Sequence, residues 1–97
     1  MSEQQGGVFV ADLDACLRAG LQIEQLVIVD VSAGCGAKFE LYLSSPQFVG
    51  MKLLERHRTV QGLVTQAGLM PRIHALTIKA WTPEEFVKNQ AQVPQQQ

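Results

Sequence analysis

A cysteine between two glycines, Gly34-Cys35-Gly36, and a histidine heading the alternating stretch H-A-L-T-I-K-A, His74, are the residues best suited to binding a metal or a thiol partner. Glycine on both sides lets the backbone bend freely and leaves the sulfur accessible, although a flexible connection with an incidental cysteine accounts for the same residues. Taken alone, a histidine at a strand start, such as His74, is more often a satisfied, half-buried residue than a ligand. Whether either matters depends on the elements that place them.

Phe9, Leu13, Leu17 and Leu21 recur every four positions and predict a first helix over 9–21, with Gly20 near its end as a stop. Residues 25–31 are β-branched-rich and read as a strand. Residues 38–44 alternate Phe39, Leu41 and Leu43 against Lys38, Glu40 and Tyr42, which predicts a second strand with one buried face, ended by Ser45 and Pro46. Between 52 and 67 the residues Leu53, His57, Val60, Val64 and Ala67 form one helical stripe, closed by Gly68. Residues 73–81 read as a third strand, with His74, Leu76, Ile78 and Ala80 on its inward face. Thr82-Pro83-Glu84-Glu85 is a capping box with proline at the first helical position, so a short last helix should run to about Lys88. The domain is thus set at 8–89, with a flexible stretch over 1–7 and a disordered, Gln-rich tail over 90–97.

The order is α, β, β, α, β, α, and a helix between strands two and three is long enough to be a crossover, which makes those strands parallel. The loop over 32–37 precedes strand two and His74 begins strand three, so Cys35 and His74 belong at the same end of the sheet. Two ligands do not close a metal site, because structural zinc and a [2Fe-2S] cluster each take four. The missing ligands are to be sought in a partner protein or a small thiol.

Ninety-seven residues, 46% hydrophobic and 18% charged, suit one soluble globular domain. The net charge of -1 gives no overall basic field of the kind that accompanies strong nucleic-acid binding. No apolar run approaches the roughly 20 residues of a membrane span, and M-S-E-Q-Q-G-G carries neither a signal core nor an Arg-rich transit pattern. The expectation is a cytoplasmic or nuclear protein. A disulfide between Cys16 and Cys35 has no particular support, since Cys16 sits in a helical stretch and Cys35 in a loop.

The stretch Phe48-Val49-Gly50-Met51-Lys52-Leu53-Leu54-Glu55-Arg56-His57-Arg58, followed by Val60, resembles the F-x-G…R-H-R-x-V signature of the BolA family. Ile73-His74-Ala75-Leu76 is similar to that family's strand motif, and Ala80-Trp81-Thr82-Pro83 fits its usual ending. The loop from Asp30 through Gly34, Cys35 and Gly36 to Phe39 is similar to the branch with cysteine where other members have histidine. Met51-Lys52 departs from the Lys-Pro common in the family, and Gln61 from its asparagine.

The resemblance implies a KH-like αββαβα domain with a three-stranded mixed sheet. It further implies an adaptor without enzymatic activity, monomeric when alone, that pairs with a monothiol glutaredoxin to hold a labile [2Fe-2S] cluster together with glutathione. His74 and Cys35 match the ligand positions, with His74 the firmer match. A cluster shared in this way suits iron-sulfur trafficking or iron-status signalling.

His57 lies on the predicted stripe with Leu53, Val60 and Val64, and is read as structural despite the inviting R-H-R triplet. Arg56 and Arg58 leave that stripe and, with Lys52, either meet carboxylates of the partner or of glutathione or form a solvated face; Gly34 and Gly36 are also candidates for binding the partner or glutathione. The main alternative is a KH-like, nucleic-acid-binding transcriptional regulator, yet the G-x-x-G clamp of KH domains is missing from the chain's eight glycines. A thiol enzyme lacks its C-x-x-C pair, and no other catalytic signature is present.

Overall fold

Leu13, Leu17 and Leu21 fall one turn apart on a helix, and all three are buried. Leu13 and Leu17 lie in α1 (Gln5–Gly20), and Leu21 follows it directly. The structure, a computed structural model, describes residues 5–32 and 37–94, with side chains from residue 10 onward. The helix starts earlier than the apolar spacing indicates, inside the stretch set before the domain. Extending a nucleated helix adds one hydrogen bond per residue and needs no apolar partner.

β1 (Gln25–Asp30) pairs antiparallel with β2 (Lys38–Ser44), from Gln25 opposite Ser44 to Asp30 opposite Phe39. β3 (Ala75–Trp81) lies on the other side of β2 and parallel to it, from Lys38 opposite Ala75 to Ser44 opposite Trp81. α2 (Leu53–Gln66) makes the expected crossover between these strands. Phe39, Leu41 and Leu43 of the central strand join Ile78 and Ala80 of β3 against Leu13 and Leu17 of α1 and Val60 and Val64 of α2. The result is an α+β fold of three helices and a mixed three-stranded sheet.

His74, assigned to the inward face of the third strand, stands exposed just before β3 at the end of the sheet, and two further places differ in packing from the sequence-based expectation. Tyr42, assigned to the polar face of β2, is buried. α3 (Pro83–Lys88) folds back over that end of the sheet, setting Phe86 edge-on to Trp81 with ring centroids 5.7 Å apart, and Trp81 lies 6.3 Å from Tyr42. The capping box that starts α3 forms as the sequence indicates, Glu85 N–H donating to Thr82 Oγ1 at 3.2 Å and Thr82 N–H to Glu85 Oε1 at 3.0 Å. After Lys88 the chain makes one more turn, a 3-10 segment at Gln90–Gln92 within the stretch assigned to the tail.

The second difference is on α2. Val60 and Val64 are buried as expected, but at the first turn Leu53 is 65% exposed and Arg56 only 7% exposed. Helical side chains tilt toward the N-terminus, so that of the first residue projects past the helix end and into solvent. Arg56, one turn further in, lies over the sheet. Its Nε donates to Met51 O at 3.0 Å, and its Nη1 donates to Ala80 O at 3.1 Å and to Glu85 Oε1 at 2.8 Å. Its guanidinium carbon sits 6.0 Å from the centre of the buried Phe48 ring. Gly68 closes α2 with φ at +77°, the left-handed conformation that glycine supplies without penalty.

Gly20 marks the end of α1 for a different reason. A Cβ there would overlap both Cδ atoms of Leu63 on α2, so the absent side chain lets the two helices approach. Gly20→Ala should therefore destabilise the fold by about 1–2 kcal/mol. In a Leu63→Ala background the same change should be neutral or stabilising, because alanine is the better helix former by about 1 kcal/mol. Urea melts of the four proteins read the coupling; additive effects would show that the contact is unimportant.

Candidate functional site

The parallel register sets residues 37 and 74 beside each other at the start of β2 and β3. The His74 N–H donates to Ala37 O at 2.6 Å, and Ala75 N–H donates to the same carbonyl at 3.2 Å. His74 is exposed, while Ile73 before it and Leu76 after it pack against the core. Its backbone is thus anchored on both sides and its imidazole stands at the sheet end, accessible from solvent. Ala37, two residues beyond Cys35 in the chain, is itself packed against the core. Gly34, Cys35 and Gly36 lie outside the described residues.

The stems of that loop are joined by side-chain bonds that the sequence reading missed. Asp30 Oδ1 accepts from Ser32 N–H at 2.9 Å and from the Ser32 hydroxyl at 2.5 Å. Ser32 Oγ in turn accepts from Lys38 N–H at 3.0 Å, and Val31 N–H donates to Lys38 O at 2.8 Å. The D-x-S pattern is a signal for the first part, since aspartate commonly bonds the backbone two residues on. Nothing local signals the bond to Lys38.

The basic residues named with the site are not gathered there. Arg56 contacts Ala80, six residues along β3 from His74 and so roughly 20 Å away at strand spacing. Lys52, exposed, precedes α2 at that same far end, where its N–H takes Glu55 Oε1 at 3.3 Å. Arg58 is exposed on α2. The expectation that Arg56 leaves the packed face is corrected: its Nε and Nη1 are committed to two backbone carbonyls and to Glu85, and with the residue only 7% exposed it is turned into the fold rather than toward a partner. His57 is half-buried on α2 next to it, but the neighbouring Leu53, expected to cover it, is exposed.

Cys16 is a free cysteine on α1 at an open groove of about 450 Å³, lined also by Asp12, Ala15, Gly68, Leu69 and Arg72. Burial, with Asp12 nearby, pushes its thiol above the usual range, and its Sγ–H donates to Leu13 O at 3.4 Å. It therefore stays a protonated thiol at neutral pH and is the weaker nucleophile of the cysteine types. Among the described residues there is no group of three or more His, Cys, Asp and Glu side chains able to hold a metal. No helix among them is long and apolar enough to cross a membrane.

What the fold and this end of the sheet define is a small α+β domain that presents an imidazole from a strand start beside Ala37, at the head of the neighbouring strand. Comparison with known proteins gives that class its family. The family model for BolA-like proteins matches residues 17–85. The chain is 43% identical over 75 residues to protein BOLA2 of Arabidopsis thaliana, covering 76% of this chain and 78% of that one. It superposes on the crystal structure of a Bol-like protein from Babesia bovis with a TM-score of 0.74 and 37% identity, covering 92% of this chain and 96% of that one. A bacterial relative, the DNA-binding transcriptional regulator BolA of Escherichia coli, is 33% identical over 76 residues, 72% of this chain and 71% of that one. The chain belongs to the BolA-like family.

Proposed function

We propose that this protein is a non-enzymatic adaptor that pairs with a monothiol glutaredoxin and, together with glutathione, shares a labile [2Fe-2S] cluster with it. His74 and Cys35 are this chain's ligands in that reading, and the glutaredoxin cysteine and glutathione supply the rest. The observation that carries it is the His74 N–H bond to Ala37, which ties an exposed imidazole to the strand stem two residues from the loop thiol. Imidazole and thiolate are both donors that iron-sulfur clusters use, and one of each makes half of a four-ligand set. A half-site needs a partner to be completed, which suits cluster trafficking or iron-status signalling in the cytoplasm or nucleus.

The name of the bacterial relative raises DNA binding as a second reading. A net charge of -1 weighs against it, because non-specific affinity for DNA comes mainly from phosphate neutralisation.

The test is co-expression with a monothiol glutaredoxin in the presence of glutathione, read by visible absorption, circular dichroism and mass of the complex. A coloured heterodimer with a spectrum unlike that of the glutaredoxin homodimer is expected. If the two proteins elute separately and only the glutaredoxin is coloured, the reading is wrong. A shift of labelled DNA by this chain at physiological ionic strength would favour the second reading.

A further inference from the structure

The register of β1 and β2, continued by one pair beyond Asp30 and Phe39, brings Val31 opposite Lys38. One bond of that pair forms, Val31 N–H to Lys38 O at 2.8 Å. The reciprocal donor, Lys38 N–H, goes instead to the Ser32 hydroxyl oxygen at 3.0 Å. A side chain thus stands where a backbone carbonyl would have continued the ladder.

The hydroxyl is well fixed for that role. It has one proton, and Asp30 Oδ1 at 2.5 Å takes it in preference to Lys38 O at 3.5 Å. The same carboxylate oxygen receives the Ser32 N–H, so a charged acceptor holds the serine by two bonds. With its proton committed, the hydroxyl oxygen has only lone pairs to offer toward Lys38.

Lys38 N–H and Ala37 C=O are the two ends of a single peptide group. Its planarity means that fixing one end orients the other. Ser32 holds the N–H end, and the C=O end accepts from His74 and Ala75. The bonds therefore run in series from Asp30 through Ser32 and the Ala37–Lys38 peptide to the backbone of His74, and aligned hydrogen bonds of this kind polarise one another.

We infer that the Ser32 hydroxyl, held by Asp30, is a positioning group for His74, acting through the Ala37–Lys38 peptide. It does not touch the ligand itself. Its effect on a shared cluster rests on the function proposed above, whereas its effect on the His74 backbone does not.

The experiment separates the two. In the full-length isolated chain, amide hydrogen exchange is followed by NMR in the wild type, Ser32→Ala and Ser32→Thr. Ser32→Ala should speed exchange at Lys38 and His74 about five-fold or more, the loss expected for one hydrogen bond, and leave Ile78 and Ala80 unchanged. Ser32→Thr keeps a hydroxyl and should restore slow exchange at both amides. In the complex with glutaredoxin and glutathione, Ser32→Ala should alter the circular dichroism of the cluster and speed its loss, again with rescue by threonine. Unchanged exchange at His74 in Ser32→Ala overturns the positioning role, and so does a threonine variant that behaves like alanine. A wild-type chain that forms no coloured complex sinks the proposed function while the exchange result stands. A wild-type complex whose spectrum and lifetime Ser32→Ala leaves untouched overturns the inference and spares the function.

Discussion

Arg56→Ala should lower the stability of the isolated chain by about 2–4 kcal/mol, measured as a fall in the urea midpoint. The substitution leaves the carbonyls of Met51 and Ala80 without their donor and opens space beside Phe48. Glu85 loses its ion pair but stays about 43% solvent-exposed, so water compensates it and keeps the total below that for a fully buried pair. Arg56→Lys should recover only part of the loss, because an ammonium cannot reach three acceptors in the directions of a guanidinium fork. The pH dependence carries a signature of its own. The Glu85 carboxyl is held below the usual carboxylate range, first by the Thr82 N–H and then by Arg56. A group with a lowered folded value stabilises above its unfolded value, and that stability is lost as pH falls through the folded one. The wild type should thus lose stability as the solution is acidified through and below the ordinary glutamate range of about 4.3, and Arg56→Ala should show a shallower acid limb. A variant that melts with the wild type at neutral pH would mean that Arg56 is a surface cation after all.

The contrast between Arg56 and its neighbours shows where sequence reasoning reaches and where it stops. The bounds and inward face of β2 were legible, because Phe39, Leu41 and Leu43 alternate and Ser45-Pro46 ends the ladder. α3 was legible from four residues, since a capping box is a local device. An arginine inside the fold is not local: its acceptors include Ala80 and Glu85, 24 and 29 residues away, and no periodicity announces them. The same holds for Tyr42, whose ring neighbour Trp81 lies on another strand and is itself met edge-on by Phe86 of α3.

The candidate site divides in the same way. That His74 and the loop before β2 share an end of the sheet followed from the order of elements alone, because a crossover helix makes β2 and β3 parallel. The bonds that fix the His74 backbone were hidden, since the Ser32 hydroxyl replaces a ladder acceptor only in the folded pair. The grouping of Lys52, Arg56 and Arg58 came from their charge and from Arg56 and Arg58 leaving the apolar stripe, which says nothing of the end of the sheet they occupy. The crossover that brings β3 back to β2 carries the start of α2 to the opposite end.

His74→Ala should abolish the spectrum of the cluster shared with glutaredoxin and glutathione, or convert it to that of a glutaredoxin homodimer. The fold should hardly notice the change. His74 is exposed, and the bond that anchors it to Ala37 comes from its backbone N–H, which alanine retains. Stability should therefore stay within about 0.5 kcal/mol of the wild type, as for most surface substitutions. Cys35→Ala is expected to act more mildly, leaving a weaker, more labile cluster with altered circular dichroism. The reason is preorganisation: His74 is held before binding by Ala37 and by its packed neighbours Ile73 and Leu76, whereas the glycines on either side of Cys35 in the sequence give its backbone more conformational freedom to lose. His57→Ala serves as the control, since His57 lies on α2 beside Arg56, whose guanidinium bonds Ala80 at the far end of β3, and its loss should leave the spectrum of the folded complex intact. Purifying the three variants with the same glutaredoxin and comparing absorption and circular dichroism per folded complex makes the ranking measurable. The ranking is wrong if the Cys35 variant loses the cluster outright while the His74 variant keeps an unchanged spectrum, and a colourless His57 variant would move the ligand from the strand to the helix.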